Sequence, residues 1–545
     1  MKTLPLSLAT ALLLLGSHAA AAVRLPAIFS DGMVLQQGAD APIWGWADAG
    51  EKITVSFADQ EVSTEAAADG RWEVKLDPLA VSATARPLTV KGSNTLTLKD
   101  VLVGEVWICS GQSNMQWTVA QAANAEQEIA AAKLPSLRMF SLDRVTADTP
   151  ATDCKGRWLP ATPENVGAFS AVAFYFGRHL HQVLNVPIGL INTSWGGTRV
   201  EAWTSMDALK QRPSASKMIA DWNQQIASWN GKEMQAAFEK RRSDWQQQVK
   251  KIQAANQKLA AGKPKAPIPA APRPPEDPAK SQHRPAALYN AMIAPLIPYA
   301  VQGAIWYQGE SNQKRAFQYQ ELLPTLINDW RQRWGRDFSF YIVQLAAFGN
   351  RNPDVIEPGY DDTWAELQEA QLLTALTLPD CGLAVTNDIG EKDNIHPKNK
   401  QEVGRRLALW ALANDYDKAD TVRSGPLFKN ATLRDGKVHI DFQYADSGLK
   451  TRDGGELKQF QIAGADGKWV WAKAVIEGSS VIVSSPDVPQ PVGVRYAWMS
   501  WPEGANLVNL EGLPASCFRT DPFPPMTLGV TSPYDEAPET RRKAP

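Results

Sequence analysis

A chain of 545 residues with 56 basic and 58 acidic side chains is long enough for several domains, and its formal net charge of −2 offers no excess of cations for a nucleic-acid backbone. Four cysteines in that length exclude a disulfide framework. Twenty tryptophans are many; most belong in a core, but exposed indoles also stack on sugar rings, so the composition leans toward a carbohydrate ligand.

Residues 1–22 read as a secretory signal: Lys2, an apolar run from Leu4 to Leu15, then Ala20-Ala21-Ala22 as a small-residue cleavage site. The run is too short to span a bilayer comfortably, and no later stretch is apolar over a greater length. The expectation is an exported protein, secreted or periplasmic, with no membrane span. From Val23 to about residue 100, short alternating runs such as Ile53–Phe57 and Trp72–Val74 are separated by turn signals, Asp69-Gly70 among them, which predicts a β-sandwich module. Residues 416–525 behave the same way, with Val438–Phe442, Phe460–Ile462 and Val481–Val483 as strands, and 526–545 reads as a tail.

Between these modules the rhythm changes. Strand candidates recur at Val101–Cys109, Leu137–Phe140, Ile188–Asn192, Val301–Tyr307, Phe338–Leu345 and Leu383–Thr386. Helical stretches fall at about Trp117–Lys133, Phe169–Asn185, Gln320–Trp334, Thr363–Thr377 and Lys398–Ala413. The alternation predicts a doubly wound parallel sheet over residues 101–203 and 283–415, with ligands at the C-terminal strand ends. Residues 204–282 interrupt this core as a charged amphipathic helical segment (Trp222, Trp229, Phe238, Trp245) followed by a proline-rich return. A lid or brace is the plain expectation; tryptophans extending a glycan groove is the sharper one. Cys109 and Cys381 read as buried thiols, and no partner for Cys154 can be deduced.

Four segments past the strand ends carry chemistry. Ser113, in Ser110-Gly111-Gln112-Ser113-Asn114-Met115, falls where a buried strand meets a helix N-terminus, whose unpaired N–H groups can receive an oxyanion. An N-cap serine is the commoner occupant of such a position. In Ser194-Trp195-Gly196-Gly197 the glycines let backbone approach a ligand, and either N–H suits an oxyanion donor. Trp306-Tyr307-Gln308-Gly309-Glu310-Ser311-Asn312 concentrates hydrogen-bonding groups at a strand end. In Asp393-Asn394-Ile395-His396-Pro397, the proline disfavours a helical His396 and suits the first helical position itself. Asp393 folded back onto Nδ1 would leave Nε2 free to take the Ser113 proton. Metal binding is disfavoured, since His179 and His181, two apart on a helix, point apart and no Cys/His cluster exists.

Together these four motifs, in this order, resemble the sialate O-acetylesterase-related branch of the SGNH hydrolases, whose bacterial members include esterases of acetylated plant polysaccharides. The resemblance implies a flavodoxin-like three-layer α/β/α core with flanking all-β modules, and removal of O-acetyl groups from an acetylated oligo- or polysaccharide without metal or cofactor. Ser113 would match the nucleophile, His396 the base and Asp393 the orienting acid, with Glu310 as an alternative acid. The oxyanion would meet the Ser113 and Gly197 (or Gly196) N–H groups and Gln308, with Asn312 as its rival. Trp117, Trp195 and Trp306 are the expected sugar contacts. Sialate, xylan, xyloglucan and pectin esters are not separable at this level. A lipid esterase would share the triad but needs a broad apolar acyl site, and a non-catalytic glycan binder would not need the three motifs together.

Overall fold

The computed structural model describes residues 22–259, 264–349, 358–359 and 362–536. The expected signal segment lies outside them but for Ala22. At the centre six parallel strands run in the spatial order Cys381–Ala384, Ser339–Val343, Gly303–Tyr307, Thr95–Gly111, Ile188–Asn192 and Leu134–Ser141. Trp158–Ala161, an edge strand with no strong sequence signal, adds antiparallel to the last. Every residue of Gly303–Tyr307 and Ser339–Val343 is buried, as a parallel sheet covered on both faces requires. The main helices are Ala171–Leu184, Ala316–Trp334, Thr363–Thr377 and Lys400–Asp415. The first is capped by the Ser170 hydroxyl and ended by Asn185 in the left-handed conformation.

Counted along the core, the strand order is 2-3-1-4-5-6, which departs from the flavodoxin-like 2-1-3-4-5. Ile188–Asn192 hydrogen-bonds both Thr95–Gly111 and Leu134–Ser141 and so holds them apart. The winding still reverses at the first strand. That leaves a crevice outside the C-terminal ends of Thr95–Gly111 and its two neighbours.

The module boundary expected at residue 100 falls inside a single 17-residue strand, Thr95–Gly111. Its first half pairs with Ser82–Lys91 of the N-terminal β module and its second half is the central core strand. Burial becomes continuous at Val101, where one solvated face gives way to two covered ones. Ala41–Trp46 and Arg71–Leu76 form a separate antiparallel pair. The C-terminal module holds two four-stranded antiparallel sheets. The expected tail is packed over its first part: the Thr527 hydroxyl donates to Glu366 (2.7 Å) and the Thr531 carbonyl accepts from Gln318 (2.8 Å).

The insertion contains helices Met206–Lys210, Pro213–Ala227 and Gly231–Gln257. Trp222 is buried and meets Tyr534 edge-on at 5.7 Å. The Trp245 indole N–H donates to the Pro269 carbonyl (2.8 Å), and the Asn256 amide bonds both backbone groups of Ala266 (2.8 and 2.9 Å). The proline-rich run therefore returns along the long helix. Trp222, buried against Tyr534, ties the insertion to the C-terminal segment and so leaves the expected glycan groove, while Trp245 ties the long helix to the proline-rich return. All four cysteines are free thiols, and among the described residues no helix is long and apolar enough to cross a membrane.

Candidate active site

The central strand ends at Gly111, φ +138°, where a Cβ would sit 2.2 Å from the Tyr307 carbonyl oxygen of the adjacent strand. Only glycine allows that approach. One helical turn follows, Ser113–Gln116, in place of the long helix expected from Trp117 to Lys133. Trp117 and Thr118 are extended, because the Trp117 carbonyl accepts from Ala171 (2.8 Å) and Val119 donates to Phe169 (3.0 Å). Helical turns resume only at Val119–Gln121 and Ala125–Ala131. Ser113 thus opens an isolated turn, and among the described residues its backbone N–H has no acceptor.

The Trp195–Gly197 turn packs directly on it: a Cβ on Gly196 would lie 3.2 Å from the Ser113 Cβ. The Gly196 N–H is spent on Gln116 Oε1 at 2.6 Å. Gly197, at φ +75°, keeps its N–H without an acceptor among the described residues. Of the two glycines left open by the sequence, Gly197 is the one with a donor to offer. Trp195, half-buried, flanks this turn.

Gln308 requires a correction. It is fully buried, and its Nε2 donates to Asn312 Oδ1 (2.7 Å), the Thr198 carbonyl (3.1 Å) and Gln112 Oε1 (3.3 Å). Its Oε1 accepts from the Tyr319 hydroxyl at 2.8 Å. Two amide hydrogens shared among three acceptors leave none for an oxyanion, so Gln308 is a buried hub joining the loops. Asn312, its rival, is also engaged: Nδ2 donates to Glu201 (2.9 Å) and Oδ1 accepts from Val200 (3.0 Å). Glu201 is itself fully buried against Arg315. Trp306 is likewise corrected from sugar contact to core, wedged edge-on between Trp203 (6.2 Å) and Trp330 (6.0 Å).

His396 sits ahead of helix Lys400–Asp415, whose N-cap is Asn399, so Pro397 lies before the helix and not at its first position. The half-buried imidazole stacks on Trp117 with centroids 4.6 Å apart and planes at 14°. Burial first, and the Lys400 ammonium second, hold His396 below its ordinary value of 6.5. The ring is therefore the neutral, proton-accepting form at neutral pH. Asp393 is exposed and, among the described residues, makes no ion pair with the ring. Asn394 instead fixes the backbone at this position: its Oδ1 accepts from the His396 backbone N–H (3.0 Å) and its Nδ2 donates to the His396 carbonyl (2.9 Å).

The sequence reading passed over a buried bridge. Lys400 Nζ, fully buried, donates to Asn114 Oδ1 at 2.5 Å. Asn114 Nδ2 donates in turn to Glu310 Oε1 (2.6 Å) and to the Ile395 carbonyl (3.0 Å). The residue after Ser113 is thereby tied to the Glu310 loop and to the residue before His396. Burial pushes Lys400 down to about 7, against the pull of Glu310 and Glu391, and pushes the Glu310 carboxyl up. Among the described residues Glu310 Oε2 is buried without a hydrogen-bond partner. One signal was available: a lysine in the first turn of a helix opposes the macrodipole, so something other than the helix holds it there.

Residues 103–262 and 279–413 match the family model for carbohydrate esterases of the sialic acid-specific acetylesterase type. The sialate O-acetylesterase of Rattus norvegicus is 30% identical over 93% of this chain and 94% of its own length. That of Homo sapiens is 30% identical over 88% of each chain. A carbohydrate acetylesterase of Xanthomonas citri, solved as a crystal structure, is 36% identical and superposes with a TM-score of 0.75, covering 92% of this chain and 100% of its own. The chain belongs to the sialic acid-specific acetylesterase family of carbohydrate esterases and is a carboxylic ester hydrolase.

Proposed function

We propose that this protein removes O-acetyl groups from sugar hydroxyls of exported or extracellular glycans by a two-step acyl transfer, with Ser113 as nucleophile and His396 as base. The Ser113 hydroxyl attacks the acetyl carbonyl while His396 takes its proton. The tetrahedral oxyanion is received by the Ser113 and Gly197 N–H groups. The ester C–O bond then breaks, the sugar oxygen leaves with the proton held by His396, and water hydrolyses the acetyl-enzyme to acetate. The carrying observation is that, among the described residues, these two N–H groups stand without acceptors on adjoining turns, while the neighbouring Gly196 N–H is spent on Gln116. Asp393 is the orienting acid in this reading. Its side chain is exposed three residues before His396, and hydrogen bonds at such sites often tighten only with substrate bound. The pairing of helix Lys400–Asp415 with Ala171–Leu184, and of Ala316–Trp334 with Thr363–Thr377, supports a three-layer core.

Two substrate classes stand level. The mammalian relatives are named for sialate esters and the Xanthomonas citri relative as a carbohydrate acetylesterase. Acetate release from O-acetylated sialic acid, acetylated xylan and acetylated xyloglucan, each beside the Ser113→Ala variant, tests the reading. Release from any of them that disappears in the variant supports it. Undiminished release by Ser113→Ala overturns it, and preference for long-chain over acetyl nitrophenyl esters would point to lipid.

A further inference from the structure

A second aromatic cleft lies away from Ser113, between the N-terminal β module and the core. Strand Ala41–Trp46 alternates buried and half-buried residues, so Trp44 and Trp46 stand on the same face. The partner strand places Glu73 opposite Trp44 and Arg71 opposite Trp46, and both charged residues are exposed. Each indole has a packing partner. Phe29 meets Trp44 edge-on at 4.6 Å, and the Arg24 guanidinium lies 4.2 Å from the Trp46 ring. Across from them are Tyr289 and Arg333 of the core, and the space between is about 540 Å³. That lies within the range of small-ligand sites.

The cleft is separate from the ester-cleaving site. Ile297 and Pro298, which also line it, precede strand Gly303–Tyr307, and Arg333 precedes strand Ser339–Val343. Both mark the N-terminal ends of strands, whereas Ser113 follows a C-terminal end. A five-residue strand puts roughly 16 Å between the two levels.

We propose that this cleft is a second glycan-binding site, which holds a run of sugar residues by stacking on Trp44 and Trp46, with sugar hydroxyls donating to the Glu73 carboxylate and accepting from the Arg71 guanidinium. Paired aromatic faces suit the apolar faces of pyranose rings, and flanking charges of both signs suit hydroxyls that donate and accept. The exposed Glu73 carboxylate makes no ion pair among the described residues, so it remains available. The inference rests on the proposed glycan substrate: a polymer held here is kept near the esterase centre while one acetyl group after another is removed.

The test uses the full chain carrying Ser113→Ala, so that binding is read without turnover, in native gels containing acetylated xylan, acetylated xyloglucan or O-acetylated mucin. Retardation in at least one gel is expected, lost on Trp46→Ala or Glu73→Ala. With Ser113 restored, the same variants should raise KM on that polymer about three- to tenfold and leave KM on 4-nitrophenyl acetate unchanged. Equal retardation of parent and both variants, no retardation in any gel, or KM rising alike on polymer and small ester would overturn the proposal. Should Trp46→Ala fail to fold, Glu73→Ala and Arg71→Ala decide it, since both side chains are exposed. A parent enzyme that releases acetate while these variants behave as parent defeats only the second site; a parent that releases none defeats the substrate reading itself.

Discussion

Two loops on the same edge of the sheet, Trp306–Asn312 and Asn387–Pro397, are similarly dense in polar residues and differ in what those residues are free to do. In the first, Gln308 and Asn312 are buried and committed to Thr198, Gln112, Val200, Glu201 and Tyr319. In the second, Asn394 and Glu391 tie down the backbone, Glu391 accepting from Lys398 at 2.7 Å, while the His396 ring rests on Trp117 and Asp393 is exposed. A buried amide with every hydrogen committed is a fastener. A half-buried imidazole with no hydrogen bond to its ring among the described residues can still move a proton. Polar density in a loop therefore marks a site region, and the state of each donor separates scaffold from chemistry.

The contrast breaks most sharply at the second loop. His396→Ala and Ser113→Ala should each lower kcat on 4-nitrophenyl acetate by at least about 10⁴-fold. Asp393→Ala should cost about 10³-fold if the carboxylate swings onto the ring during turnover, whereas Glu310→Gln should cost less. A loss under tenfold for Asp393→Ala, with a larger one for Glu310→Gln, would transfer the orienting role to Glu310. Gln308→Ala should behave as a scaffold lesion. It leaves Asn312, Thr198 and Tyr319 short of partners at about 1–3 kcal/mol for each buried group stranded, read as a lower melting temperature. At a permissive temperature its kcat should stay within about tenfold of parent, short of the 10²–10³ expected for a lost oxyanion donor.

The smallest effect concerns pH. His396 must be neutral to accept the Ser113 proton, and its value in the folded protein is held below 6.5. The acidic limb of kcat/KM should therefore lie below 6.5, with activity lost as pH falls through the lowered value. Lys400, pushed down to about 7, is charged over that range and opposes protonation of the ring. Lys400→Gln, which removes the charge yet can still donate to Asn114, should move the limb upward while burial keeps it under 6.5. An unmoved limb would confine Lys400 to holding Asn114.

Most of the architecture was legible in the residues. Short apolar runs without alternation and rich in β-branched and aromatic residues, such as Gly303–Tyr307, read as strands covered on both faces, and the alternating runs at each end read as half-exposed sheets. The misreadings came where long-range pairing overrode local preference. Helical propensity after Ser113 yielded to backbone bonds with Phe169 and Ala171. The boundary at residue 100 vanished into a strand whose two halves pair with different modules.

The sequence by itself determined the alternation of strands and helices and the order of the four motifs, because periodicity and order are local properties of the chain. Only the tertiary structure decided which donors remain unspent. Gln308 finds Gln112 and Thr198, Lys400 finds Asn114, and Trp306 finds Trp203 and Trp330, across separations no short pattern encodes. A hydrogen bond uses up its donor wherever in the chain the acceptor comes from, so the availability of a group for chemistry is a property of the folded molecule.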